Sequence, residues 1–132
     1  MIHLDTSFVV DLQRDAGRAG AARAFLERHA GDPFGISVHA LCELEAGVRL
    51  ARNPQREHAR LQAIISGLAV AYPDHRFADT YGRTFAALER RGKRVPAMDL
   101  LIAVAALADR AALVTRDTRD FAAVPDLEVL GY

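Results

Sequence analysis

Short apolar segments alternate with helical patterns of apolar residues along most of the 132-residue chain. Strands are predicted at Ile2–Leu4, Phe34–Val38, Ala112–Thr115 and Leu127–Leu130, and a further short segment, Val70–Tyr72, precedes a predicted helix. Between these segments, apolar residues recur at three- and four-residue spacing, which is typical of amphipathic helices. The alternation of strands and helices predicts an α/β sandwich with a mostly parallel sheet.

Characteristic residues mark the ends of several predicted helices. An Ala- and Arg-rich stretch from Asp15 to Gly31 keeps helical spacing, and Pro54 suits the first turn of a later helix. Gly92 lies just past the end of another helix, where glycine is favoured. The segment that Pro96 opens is apolar nearly all round from Leu100 to Leu107, which predicts a buried helix.

Length and composition limit the class of protein. The length indicates a single domain over residues 1–132, and the apolar fraction of 51% is that of a globular protein. We expect no transmembrane helix and no signal peptide, and the lone Cys42 favours a cytoplasmic location. Seventeen basic and seventeen acidic residues balance. Binding to nucleic acid would therefore depend on a local basic patch rather than on overall charge.

Two aspartates follow predicted strands directly. Asp5 comes after Ile2–Leu4, and Asp117 comes two residues after Thr115. Because ligands bind at the carboxyl ends of parallel strands, both acids point to the same edge of the sheet. Taken singly, each is also explained by helix capping or by a turn, which aspartate favours.

Two further acids lie on predicted helices. Asp99 falls in the first turn of the most apolar helix, where an unpaired charge would be costly despite the favourable helix dipole. Glu43 has Ala40, Ala46 and Gly47 as its helical neighbours, and these small residues would let a ligand approach. An ordinary exposed position is the alternative for Glu43.

Carboxylates that converge at one edge repel one another, and a divalent cation would remove that penalty. Oxygen ligands without a cysteine–histidine cluster favour Mg²⁺ or Mn²⁺ over zinc. Hydrolysis of phosphodiesters is chemistry that such a site performs well. Two alternatives remain open, namely another Mg²⁺-dependent phosphate-handling domain and a binding module without catalysis.

Four segments, in order, resemble the motifs of PIN domains. They are Leu4–Ser7, Ile36–Val38 with Glu43–Gly47, Asp99–Ala103 with Ala106–Ala108, and Thr115–Phe121. Together they span nearly the whole chain. The length and the lead-in from Gly92 to Asp99 are most similar to the VapC toxins of bacterial toxin–antitoxin pairs.

The resemblance implies a PIN-like three-layer sandwich with a mostly parallel central sheet and helices on both faces. It implies a Mg²⁺- or Mn²⁺-dependent endoribonuclease that cuts structured RNA, transfer or ribosomal, and inhibits translation. The catalytic metal ligands that it implies are Asp5, Glu43, Asp99 and Asp117, with Asp120 as a less certain addition. Thr6 and Thr115 match supporting hydroxyl positions. A homodimer bound by a cognate VapB antitoxin is the implied assembly.

Basic residues near the predicted site are candidate contacts for RNA phosphates. Arg91, Lys93 and Arg94 precede Asp99 by a few residues, and Arg116 directly precedes Asp117. Side chains of this kind can hold phosphates on either side of a scissile bond. Positive charge at a helix C-terminus also complements the helix dipole, which is the simpler explanation for the first three.

Overall fold

The computed structural model of the chain describes residues 1–14 and 16–132. Asp15, which opens the stretch predicted as helical, lies outside the described residues. Within the described part, one sheet contains five strands: β1 Ile2–Leu4, β2 Phe34–Ser37, β3 Ala69–Ala71, β4 Ala112–Val114 and β5 Val129–Leu130. The strand order is β3-β2-β1-β4-β5, and every neighbouring pair is parallel. The predicted α/β fold is confirmed.

Seven helices connect these strands in the described part of the chain. They are α1 Thr6–Gln13, α2 Ala19–Arg28, α3 Val38–Leu50, α4 Pro54–Ile65, α5 Phe77–Arg90, α6 Ala97–Ala108 and α7 Thr118–Phe121. Right-handed crossovers from β1 through β2 to β3 put α1–α4 on one face, and the return to β4 puts α5 and α6 on the other. Helix α1 contacts α2, α3 and α4, α3 packs on α4, and α5 packs on α6, while α3 also contacts α6. Over the same residues, no helix is both long and apolar enough to cross a bilayer.

Helix α6 joins two parts of the hydrophobic core. Its Ile102, Ala103 and Ala106 pack in the main cluster with residues of the sheet and of α1–α4. Its Leu100 and Val104 pack with Leu88 of α5 in a second cluster. A helix that contributes to both clusters must be apolar all round, which explains the sequence pattern and confirms that α6 is buried.

Several predicted boundaries were wrong by a few residues. The second strand ends at Ser37, because the Ser37 hydroxyl accepts a hydrogen bond from Ala40 N at 3.1 Å and so begins α3 at Val38. Strand β4 ends at Val114 rather than at Thr115, and β5 begins at Val129 rather than at Leu127. The short α7 was not predicted, because four residues are too few to show a helical period.

Strand β2 lies very close to its neighbours at Gly35. A Cβ at this position would lie 3.2 Å from the Ala69 carbonyl oxygen, 3.3 Å from Met1 Sδ and 3.4 Å from the His3 ring. Because that carbonyl belongs to a paired strand, it cannot move away freely. We expect Gly35→Ala to lower the free energy of unfolding by about 1–3 kcal/mol, measured by urea denaturation.

The matched control is Gly20→Ala. Gly20 lies inside α2 with nothing within 4 Å of its would-be Cβ. Alanine there should leave stability unchanged or raise it by about 0.5–1 kcal/mol. Equal stability of Gly35→Ala and the unaltered protein would contradict the predicted clash.

Candidate active site at the carboxyl ends of the central strands

The chain leaves the two central strands in opposite directions. After β1 it crosses to β2 on one side, and after β4 it continues to β5 on the other, while β1 and β4 are themselves paired through Leu4 and Val114. The point where the order of strands reverses forms a crevice at their carboxyl ends, which is where α/β proteins bind ligands. Asp5 and Thr115 immediately follow these two strands.

Two hydroxyl groups fix the Asp5 carboxylate, which is only 5% exposed. Asp5 Oδ2 accepts hydrogen bonds from Ser7 Oγ at 2.7 Å and from Thr115 Oγ1 at 2.8 Å. No hydrogen bond from any residue in 1–14 or 16–132 reaches Asp5 Oδ1. One oxygen therefore sets the orientation of the group, and the other can bind a ligand.

The same hydroxyls hold the loop that follows β4. Ser7 Oγ accepts from the Arg116 amide at 3.1 Å, and Thr115 Oγ1 accepts from the Asp117 amide at 3.0 Å. The loop carrying Asp117 is thus tied to the first turn of α1. Sequence reasoning named Thr115 as a supporting hydroxyl but missed Ser7, although Ser7 is part of the opening motif beside Asp5.

Glu43 reaches this edge from α3. Thr6 Oγ1 donates a hydrogen bond to Glu43 Oε1 at 2.7 Å, and both residues are partly buried. Of the small neighbours in α3, Ala40 is fully buried in the core, so it does not open space for a ligand. Gly47 does, because it is exposed and lines a groove together with Glu43.

Asp99 lies in the first turn of α6 and is partly buried. Its pKa is raised to about 6, first by burial and then by the negative charges of four other acids, which are Asp5, Glu43, Asp120 and Asp117 in decreasing order. These are the four remaining acids that the sequence singled out. The fold therefore brings all five into one electrostatic environment, although they come from four separate segments.

Asp117 and Asp120 are the exposed members of the group. The Asp117 side chain is 46% exposed, and its Oδ1 lies 3.7 Å from Arg116 Nε. Asp120 follows in the first turn of α7 and is also exposed. Solvent can reach this side of the site, while Asp5 forms its buried floor.

All the candidate ligands present oxygen atoms, which is the donor set that suits Mg²⁺ or Mn²⁺. Across residues 1–14 and 16–132, however, no three Asp, Glu, His or Cys side chains come close enough to one another to hold an ion directly. Like charges favour such separation. Mg²⁺ commonly keeps several of its waters and takes only one or two carboxylates, so the residues fit an ion bound partly through water.

The predicted RNA-contacting residues fall into two groups. Arg91, Lys93 and Arg94 are exposed in the loop between α5 and α6. Lys93 and Arg94 line a groove that reaches Leu100, the residue after Asp99. Arg116 instead forms an ion pair with the buried Asp11, with Nη1 3.1 Å from Asp11 Oδ1. Sequence reasoning missed Asp11.

Comparison with known proteins gives consistent matches. The PIN domain family model matches residues 2–127 of the chain. Ribonuclease VapC4 of Mycobacterium tuberculosis is 32% identical over 96% of this chain and 92% of its own length. Ribonuclease VapC2 of Rickettsia felis is 32% identical over 70% of this chain and 69% of its own. The crystal structure of VapBC2 from Rickettsia felis, bound to a DNA fragment from their promoter, has a TM-score of 0.91 at 28% identity, covering 100% and 99% of the two chains.

Repulsion between Asp99 and the neighbouring acids leads to a prediction about the stability of the folded protein. Because the pKa of Asp99 rises from 3.8 to about 6 on folding, the folded protein binds this proton more tightly than the unfolded chain does. Stability is therefore lost as the pH rises through that range. In chelator near pH 7.5, Asp99→Asn should raise the free energy of unfolding by about 1–2 kcal/mol, a value reduced for the partial exposure of the group.

Urea denaturation at several pH values measures this difference, which should shrink as the pH falls through 6 and vanish only below the unfolded pKa of 3.8, where Asp99 is protonated in both states. Asp79→Asn is the control, because Asp79 is exposed and pairs only with Arg83 among the described residues. It should change stability by about 0.5 kcal/mol at most. A destabilised Asp99→Asn protein at neutral pH would show that the carboxylate is held by favourable contacts instead.

Proposed function

This chain belongs to the PIN-domain family and to its VapC ribonucleases, and we propose that it hydrolyses RNA at the pocket formed by Asp5, Glu43, Asp99 and Asp117. The observation that carries this proposal is the environment of Asp99, whose pKa is raised by burial and then by the charges of the other three acids and of Asp120. Such a concentration of carboxylates suits a divalent ion and the phosphate that it binds.

We assign the four acids to one Mg²⁺ or Mn²⁺ site, in which one or two bind the ion directly and the others bind through its waters, with Asp120 as an outer member. A divalent ion there would supply Lewis acidity at the scissile phosphate. Asp5 contributes a carboxylate that Ser7 and Thr115 have already oriented. Glu43 contributes one that Thr6 orients. Because these side chains are held by hydrogen bonds before substrate arrives, little reorganisation is needed when RNA binds.

The protein is a ribonuclease of the toxin type. Its substrate is a structured RNA of the translation machinery, transfer or ribosomal, which places its action in the cytoplasm. The exposed Arg91, Lys93 and Arg94 contact phosphates beside the cleaved bond. Recognition of RNA depends on shape and unpaired bases, so the cleaved sequence must be found by mapping RNA ends.

The partner we propose is a VapB-type antitoxin acting on a toxin homodimer, since the similar Rickettsia felis structure is a VapBC2 assembly. A groove of about 210 Å³ starts at Glu43 and Thr6 and runs between α1, α3 and α4 past Val10 and Val48. Its apolar walls and acidic end suit a segment with an apolar side chain and an arginine. A segment seated there would cover the carboxylates.

The nuclease assignment predicts that cleavage depends on the metal and on these acids. Asp5→Asn and Asp99→Asn should each lower the rate of RNA cleavage by about 100-fold or more, because each removes charge from the ion site. Cleavage by the unaltered protein should stop in excess chelator and return with Mg²⁺ or Mn²⁺. The measurement is gel analysis of purified cellular RNA, and sequencing of the new ends identifies the target.

Asp79→Asn again serves as the control and should cleave normally, because Asp79 lies on the exposed face of α5. Undiminished cleavage in excess chelator would overturn the metal-dependent mechanism.

The hydrogen bond from Thr6 to Glu43 gives a finer prediction. Thr6→Val keeps the shape of the side chain but removes the hydroxyl that orients Glu43. Groups that orient metal ligands contribute about 10- to 100-fold to metal affinity or activity. We expect the Mg²⁺ concentration for half-maximal cleavage to rise by about 10-fold, with activity largely recovered at high Mg²⁺.

The matched control is Thr80→Val. Among the described residues, the Thr80 hydroxyl donates only to the carbonyl of Arg76, the residue before α5. It should not change the Mg²⁺ requirement. An unchanged requirement in Thr6→Val would mean that the Thr6 hydroxyl does not support the metal ligand.

A further inference from the structure

Helix α1 contains a buried acid that the proposed chemistry does not use. The side chain of Asp11 is fully buried. A buried carboxylate is costly unless close partners compensate for lost hydration. Asp11 Oδ1 accepts from Arg116 Nη1 at 3.1 Å, and Asp11 Oδ2 accepts from the Tyr132 hydroxyl at 2.6 Å. Arg14 and Arg18 approach the same carboxylate at 3.7 and 3.9 Å.

Tyr132 is itself held firmly in place. Its ring packs edge-on against Phe8 with centroids 4.7 Å apart, and the Arg18 guanidinium lies 4.8 Å from the ring centre. Arg18 also donates a hydrogen bond to the Tyr132 carbonyl. Burial and the bond to Asp11 raise the pKa of the Tyr132 phenol well above its usual value, so the group remains a hydrogen-bond donor.

Arg116 is attached to α1 at two points. Its amide donates to Ser7 Oγ, and its guanidinium donates to Asp11 Oδ1. The two attachment points are one helical turn apart on the same helix, so both the backbone and the side chain of Arg116 are fixed. From this position its Nε lies 3.7 Å from Asp117 Oδ1.

We propose that Asp11 is a positioning residue which, through Arg116, orients the Asp117 carboxylate in the active site, with Tyr132 holding Asp11 in place. The inference rests on the proposed function, because Asp117 matters here as a metal ligand. Of the four main acids, Asp117 has the most exposed side chain, so it needs a neighbouring group to hold its orientation. The Arg116 guanidinium is the cation beside it. Arg116 supplies that restraint from the side that faces α1.

A different role for Arg116 would give different kinetics. If its guanidinium only contacted an RNA phosphate, loss of the charge would raise KM and leave kcat unchanged. If it orients Asp117, loss of the restraint lowers kcat and weakens metal binding, while KM changes little. A positive charge at position 116 should not be enough to orient Asp117. Lysine lacks the planar, multiple-donor geometry that lets Arg116 reach the carboxylates of both Asp11 and Asp117.

The experiment compares Asp11→Asn, Arg116→Gln and the double variant in single-substrate RNA cleavage. We expect each single variant to lower kcat at limiting Mg²⁺ by about 10- to 100-fold, as for other groups that orient metal ligands. The double variant should be no worse than the more impaired single variant, because both changes break one interaction. Arg116→Lys should recover only part of kcat.

A second readout does not depend on cleavage. Calorimetric titration of the purified protein with Mn²⁺ alone should show an affinity lowered by about 10-fold in Asp11→Asn and Arg116→Gln. Arg119→Gln is the matched control, since it removes a neighbouring positive charge that forms no ion pair within residues 1–14 and 16–132. Its Mn²⁺ affinity and kcat should stay close to those of the unaltered protein.

Tyr132→Phe keeps the inference testable if Asp11→Asn does not fold, because it removes only the hydroxyl that reaches Asp11. It should lower kcat by about 3- to 10-fold, with little change in KM. A rise in KM alone for Arg116→Gln, additive effects in the double variant, or an equal loss in Arg119→Gln would each overturn the proposal. If the unaltered protein cleaves no RNA, it is the nuclease assignment that fails, and the Mn²⁺ titrations still decide whether Asp11 positions Asp117.

Discussion

Repulsion among carboxylates at the end of two neighbouring strands is the constraint on which the rest of the site depends. Five acids from four segments share one electrostatic environment, in which burial and then the charges of the other four raise the pKa of Asp99 to about 6. Such an arrangement persists only where the fold compels it. Three features of the fold hold the acids near one another. They are the crossover pattern around β1 and β4, the core packing of α6, and three hydroxyls that bind two of the acids.

Much of this could be predicted from the sequence, because the signals were local. Strand periodicity located β1 and β4, and the rule for parallel sheets then placed Asp5 and Asp117 at one edge. Asp99 stood out as a charge in an otherwise apolar helix. The resemblance to PIN domains linked these acids to Glu43, whose own periodicity left an exposed position equally plausible.

The interactions that sequence reasoning missed join residues far apart in the chain. Asp11 resembles an ordinary polar residue of α1, and it is buried only because Arg116 and Tyr132 come from more than 100 positions away. Ser7 has the same character, since its partner Thr115 lies 108 positions away in the chain, directly after β4. Periodicity describes one segment at a time and cannot show which buried polar groups will meet. Helix α7 was too short to leave any pattern.

The deep burial of Asp5 and Thr115 has a consequence for regulation. The hydrogen bonds among Asp5, Ser7 and Thr115 join the first turn of α1 to the end of β4. The contacts that complete this part of the fold therefore also shape the pocket. Folding therefore orients the Asp5 carboxylate before any ion or RNA binds. Inhibition of the proposed nuclease would then have to act on the folded molecule, by a partner that covers the pocket.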